Sequence, residues 1–364
     1  MELHGPADVI SRLHPVRDPR RADRTAGLPG EDEAPPTTGA RREQPADPFA
    51  EGILLEAGIA LLRDRLRIES DRRRFRDLLV GWREEVSGAV RAGELVLAET
   101  WLRALVTDPV YPTAMGDLVE EALDEVSVPE VLDEVVVRLA AAPAPGPGSG
   151  VVAAWGARMA AHLVRGMIAE HPPVSRRHLT ELLAWVGRED IRLLAAFCRD
   201  PRWFVVRNLA IALGRTGRRQ AVPALESILG HADPRVRVEA LRSLWTLQGD
   251  GSIHVLKAAM ADPEPRVRHA ACSLLRASPG SVVVAAIAGV LESRGAAVSE
   301  VPRLVGLIAE RTEATVPRTL AHLAEFHGMG AVARAVRRAA RAALKQRAPG
   351  TDVAAGPQAA VPAG

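Results

Sequence analysis

Lysine is almost missing from this sequence. Lys257 and Lys345 are its two examples among 47 basic residues, so nearly every cation is a forked guanidinium. Cysteine is scarce too. Cys198 and Cys272 stand alone, which excludes a disulfide framework and a paired-cysteine zinc site. Aromatic residues make up 3% of the chain, too few for a typical sheet core. No stretch reaches the roughly 18 uninterrupted apolar residues that a membrane span needs. The opening MELHGPADVISRLHPVRDPRR lacks the apolar core of a secretory signal, so a reducing cytoplasmic setting is expected. Metal and nucleotide signatures are absent as well. The ten histidines include no His-Glu dipeptide, and no HExxH, GxGxxG, P-loop or GxSxG motif occurs. No cofactor, metal or catalytic residue is therefore assigned.

What the chain does have is Ala, Leu and Val, which favour closely packed helices. Charge is divided unevenly. Residues 1–48 carry net −2, residues 49–140 net −8 and residues 141–364 net +12. The first stretch, with eight prolines and mixed charge, predicts a disordered N-terminal tail. Residues 49–140 read as an acidic module of about five helices. Leu54, Leu55, Ile59, Leu62 and Leu66 share one helical face; Phe75, Leu78, Leu79, Trp82, Val86 and Val90 share another. Gly93 breaks the second run. Residues 141–150, AAPAPGPGSG, are a linker by composition. One long amphipathic helix is then expected up to Pro172-Pro173, and residues 347–364 predict a second disordered tail.

From about residue 175 the sequence repeats. PRWFVVRNLAIALGRTG, DPRVRVEALRSLWTLQG and EPRVRHAACSLLRASPG align through Val206-Arg207, Val236-Arg237 and Val267-Arg268, spaced 30 and 31 residues apart. Ala210, Ala240 and Ala271 follow three positions after each Arg. Gly217, Gly249 and Gly280 close the helices, and a second helix follows each. A degenerate copy, SRRHLTELLAWVG with REDIRLLAAFCRD, keeps the spacing of 30 from Gly187 to Gly217 but lacks the Val-Arg pair. Two helices per period of about 30 residues describe a helical solenoid, in which stacked hairpins build one continuous core.

DPRVRVEALRSL resembles the HEAT repeat family, in its phycobilisome-lyase HEAT-like variant, and residues 202–217 look like the form seen in many bacterial proteins. The resemblance implies an all-α, right-handed α-solenoid of HEAT-like hairpins over residues 151–346, preceded by the helical N-terminal module. It also implies a structural ladder between repeats, with Asp200, Asp233 and Asp262 serving Arg207, Arg237 and Arg268.

For function, the reading is a scaffold or adaptor without catalysis, binding an acidic protein. Arg202, Arg235 and Arg266 open the repeat helices, where helix N-termini already favour anions. Trp203 sits beside them as a possible hot spot. Arg334, Arg337, Arg338, Arg341 and Lys345 share one face of a terminal helix that contains no acid. The alternative is a nucleic-acid-binding protein similar to HEAT-like DNA alkylation-repair glycosylases, although their catalytic residues find no match here. A bilin lyase-like role is a minor alternative that no residue specifies. A membrane partner is not expected, because the opposite face of the terminal helix is mostly alanine.

Overall fold

A computed structural model describes residues 48–106, 111–141, 146, 148–169, 174–277, 281–293 and 295–347. The tails expected at 1–48 and 347–364 lie outside these residues except at their inner ends, as do Gly280 and half of the expected linker. No strand occurs among the described residues; the fold is all-α.

Contacts divide the chain into two compact units, residues 1–162 and 163–364. The first unit holds α1 (Pro48–Ile68), α2 (Arg72–Ala92), α3 (Leu95–Val106), α4 (Gly116–Val126), α5 (Pro129–Ala141) and α6 (Gly150–Ala154), with the start of α7 (Gly156–Ile168). Helix α2 shows why these segments fold as they do. Asp71 caps its start by accepting from the Arg74 amide at 2.9 Å. Phe75, Leu79, Trp82, Val86 and Val90 are buried on one stripe, and Gly93 ends the helix at φ +85°. The buried Trp82 indole then donates to the Trp101 carbonyl at 2.7 Å, tying α2 to α3.

One expectation about the following segment is corrected. The long helix is broken at Gly156, whose φ of +51° lies in the left-handed region, so α6 and α7 are separate. Contacts divide the two units after His162. Residues 150–162 belong with the first unit because α6 lies against α3, Arg158 bonds both Glu120 and Asp124, and His162 meets Asp133 at 2.8 Å.

The second unit is built from helical hairpins. Helices α8 (Arg176–Glu189), α10 (Trp203–Arg215), α12 (Pro234–Gln248) and α14 (Pro265–Ala277) lie side by side in one layer. Their hairpin partners are α9 (Ile191–Ala195), α11 (Val222–Ser227), α13 (Ile253–Ala259) and α15 (Ser281–Glu292). Helices α16 (Val301–Ala309), α17 (Val316–Ala324) and α18 (Ala331–Arg347) follow. Val206, Ala210, Val236, Ala240, Val267 and Ala271 are all buried, as their repetition implies. Small residues set the helix spacing. Ser243 Oγ donates to the Ala210 carbonyl at 2.8 Å, and a Cβ on Gly214 would stand 2.5 Å from that oxygen. Gly217 and Gly249 terminate α10 and α12 with φ +69° and +54°. Gly187 does not terminate α8. It is buried inside the helix, where a Cβ would meet Leu194 at 2.8 Å and Thr216 at 3.0 Å.

Candidate partner-binding groove

The outer surfaces of α10, α12 and α14 form a groove of about 570 Å³. Its lining follows helical spacing: Trp203 and Arg207 on α10, Arg235, Val238, Glu239 and Arg242 on α12, and Arg266, His269, Ala270, Ser273 and Leu274 on α14. At one end the Arg235 guanidinium lies 3.3 Å above the Trp203 ring, a cation–π contact. Trp203 also meets Phe204 edge-on at 6.1 Å.

The three Val-Arg arginines do form rungs between repeats. Arg207 reaches Glu239 at 2.9 Å, Arg237 reaches Asp262 at 2.7 Å, and Arg268 reaches Glu300 at 3.5 Å. Arg237 and Arg268 each also donate, at 2.8 Å, to a carbonyl of the turn before their own helix, at His231 and Asp262 respectively. The acids differ from those expected. Asp200 and Asp233 are not rungs. Each accepts from the backbone amide two residues on and holds that residue's side chain, Arg202 at 2.9 Å and Arg235 at 2.7 Å. In both Asp-Pro-Arg sequences the carboxylate turns toward its own repeat: Asp233 is the N-cap of α12, and Asp200 stands two residues before Arg202, the N-cap position of α10. Hydrogen bonds from Arg202 and Arg235 hold these two carboxyls below the usual range.

The third repeat departs from this pattern. Pro263-Glu264-Pro265 moves Asp262 four residues ahead of Arg266, and Asp262 turns to Arg237 instead. Arg266 is left exposed on the groove wall, with no hydrogen bond or ion pair among the described residues. Of the repeat-start arginines, then, Arg202 and Arg235 are already neutralised from within and Arg266 is not.

The terminal helix separates in the same way. The side chains of Arg334, Arg338, Arg341 and Lys345 are exposed and make no ion pair or hydrogen bond among the described residues, and none of them lines the groove. Arg337 is different. It donates to the Phe326 and Gly328 carbonyls at 2.7 and 2.8 Å. Val336 and Ala340 beside it are fully buried, so Val336-Arg337 with Ala340 three residues on reproduces the Val-Arg-Ala pattern of the repeats.

The remaining groove residues, Glu239, Arg242 and His269 among them, were not singled out in the sequence. A signal for them existed: residues 235, 239 and 242 and residues 266, 269 and 273 each fall on one helix face. The cysteines carry no chemistry at the groove. Both are buried, and burial lifts the Cys198 thiol to about 11 and raises that of Cys272. No group of three or more His, Cys, Asp or Glu able to hold a metal occurs among the described residues.

A family model described as HEAT repeats matches residues 191–276 and 222–300. This segment of the chain carries HEAT repeats. The groove therefore lies on HEAT repeats, since every residue lining it falls between 191 and 300. No curated protein matches the chain. Among solved structures, one titled as the crystal structure of an engineered protein aligns at 15% identity over 80% of this chain and 90% of that one, with a TM-score of 0.27. So low a score carries no argument. No helix among the described residues is long and apolar enough to cross a membrane.

Proposed function

We propose that this chain is a non-catalytic HEAT-repeat scaffold that grips an acidic protein segment in the groove over α10, α12 and α14. The observation that carries this reading is the make-up of the groove wall. Arg207, Arg235, Arg242 and Arg266 surround a floor that includes Val238, Ala270 and Leu274, with Trp203 at one end. Glu239 offsets part of that charge by accepting from both Arg207 and Arg242, at 2.9 and 3.3 Å, and Arg266 keeps its charge unpaired. Such a wall suits a partner that offers one apolar anchor flanked by carboxylates. The anchor would be desolvated on the floor and against the indole, and the carboxylates held by guanidinium forks. Solenoid repeats give such a segment a rigid, extended seat without any reacting group. A reducing cytoplasmic setting suits the two buried, unpaired thiols.

An array of acidic dodecapeptides, each carrying one Leu or Phe, tests this directly with the purified full chain. Retention of a subset by the wild type is expected, with at least tenfold weaker retention by Arg266→Glu and by Trp203→Ala. Equal retention by all three proteins, or turnover of a substrate traced to groove residues, contradicts the proposal.

A further inference from the structure

The terminal helix lies outside the groove and carries four unpaired cations on one face. At about 100° per residue, Arg334, Arg338, Arg341 and Lys345 fall within an arc of roughly 60° on α18. They extend over about 16 Å at ~1.5 Å per residue. Buried Ala333, Val336, Ala340 and Ala343 occupy the other side, against α16 and α17. Those neighbours fix the helix and aim the cations away from the core. Arg347 pins its end by donating to the Ala309 and Arg311 carbonyls at 2.5 and 2.8 Å. Arg337 pins the loop at its start. The stripe is thus a rigid row of charges rather than a frayed terminus.

We infer that this face of α18 docks on the phosphate backbone of duplex nucleic acid without reading its sequence. Two features of the face favour that occupant over an acidic protein or a membrane. First, the exposed residue between Arg341 and Lys345 is Ala342, and no aromatic or large aliphatic side chain is exposed on the stripe. A protein interface needs a desolvated anchor at its centre, whereas phosphate contacts need only positioned cations and donors. Second, three of the four cations are arginines, whose planar forks match phosphate oxygens. A membrane would also be attracted by charge, but the apolar side of this helix is already buried and has nothing to insert. The lack of an aromatic platform excludes base stacking and points to a duplex rather than a single strand.

The test is fluorescence anisotropy of the full chain with a labelled 20-base-pair duplex between 50 and 200 mM salt. Four phosphate contacts predict a slope of log K against log salt near −3.6, which is about a hundredfold loss over that range. Arg334→Glu/Arg338→Glu/Arg341→Glu is expected to abolish binding, and the corresponding triple Gln variant to weaken it at least tenfold and flatten the slope by ~3. Circular dichroism melts of the variants confirm that α18 remains folded. Arg266→Glu, which alters the groove alone, is expected to bind the duplex like the wild type. Any of three results overturns the inference: no duplex binding by the wild type at 50 mM salt, duplex binding untouched by the triple Gln variant, or preferential binding of vesicles with 30 mol% phosphatidylserine. Because the array experiment above uses peptides and groove variants, the two proposals can fail separately.

Discussion

The arginines of the repeats and those of α18 are the same chemical group placed in opposite circumstances. In the repeats, most guanidiniums are claimed from within. Arg202 and Arg235 are held by the aspartates two residues before them, Arg207 and Arg237 bridge neighbouring repeats, and Arg268 holds a turn. On α18 no acid lies in the helix, and four cations remain unpaired among the described residues. A count of basic residues therefore overstates what the repeats can offer a partner. What decides availability is whether an aspartate stands two residues before the arginine, or a carboxylate one repeat away. Arg266 shows this most clearly, because Glu264 rather than an aspartate stands two residues before it and Asp262 is engaged by Arg237.

The largest expected effect separates the two regions by stability. Arg237 and Asp262 are each only 13% exposed, so Arg237→Ala strands a largely buried carboxylate and should cost roughly 2–3 kcal/mol in a urea titration. Arg338→Ala should stay within about 0.5 kcal/mol, as an exposed unpaired residue does. A rung that proved as dispensable as the stripe would erase the distinction. Next comes the packing of the stack. Gly214→Ala pushes a methyl into Ser243 and should cost roughly 1–3 kcal/mol, partly recovered by adding Ser243→Gly. Exposed Ala342→Gln on α18 should be near neutral.

A smaller effect converts one class of arginine into the other. Asn caps a helix about as well as Asp, so Asp233→Asn should change stability by only a few tenths of a kcal/mol while removing the charge that holds Arg235. Acidic-peptide retention in the groove should then rise, by roughly twofold to fivefold; unchanged or weaker retention would show that Arg235 was never limited by its cap. The smallest effect is in acid. Asp200 and Asp233 titrate below the usual range because Arg202 and Arg235 hydrogen-bond them. Their contribution is complete above an ordinary carboxylate value of about 4 and fades as pH falls through their lower folded values. The double Asn variant should flatten that part of the stability profile measured by thermal melts, and a profile identical to wild type would show that neither carboxylate stabilises through its charge.

Fold and site were legible to different depths. Helix stripes such as Phe75 to Val90, and the repeated Val-Arg-Ala core, were readable because local periodicity alone selects the buried face. The break at Gly156 was missed and Gly187 was aligned with the helix-closing glycines, because a glycine's role depends on what stands opposite it. One takes a left-handed turn; the other makes room for Leu194 and Thr216. The rungs were half legible. The arginines were found from their register, but their acids come from the next repeat, and a change of two residues in a turn redirects Asp262. Arg337 was grouped with the stripe on helical angle, although the Val-Arg-Ala pattern around it marked it as a turn-holding residue.

The two proposals give the chain two separate binding surfaces, the groove with its unpaired Arg266 and α18 with its unpaired stripe. The most direct test is a crossed titration of wild type, Arg266→Glu and the α18 triple Gln variant against one retained acidic peptide and one duplex. Loss of peptide binding only in Arg266→Glu, with loss of duplex binding only in the α18 variant, is the predicted result. Equal sensitivity of both ligands to both variants would contradict it.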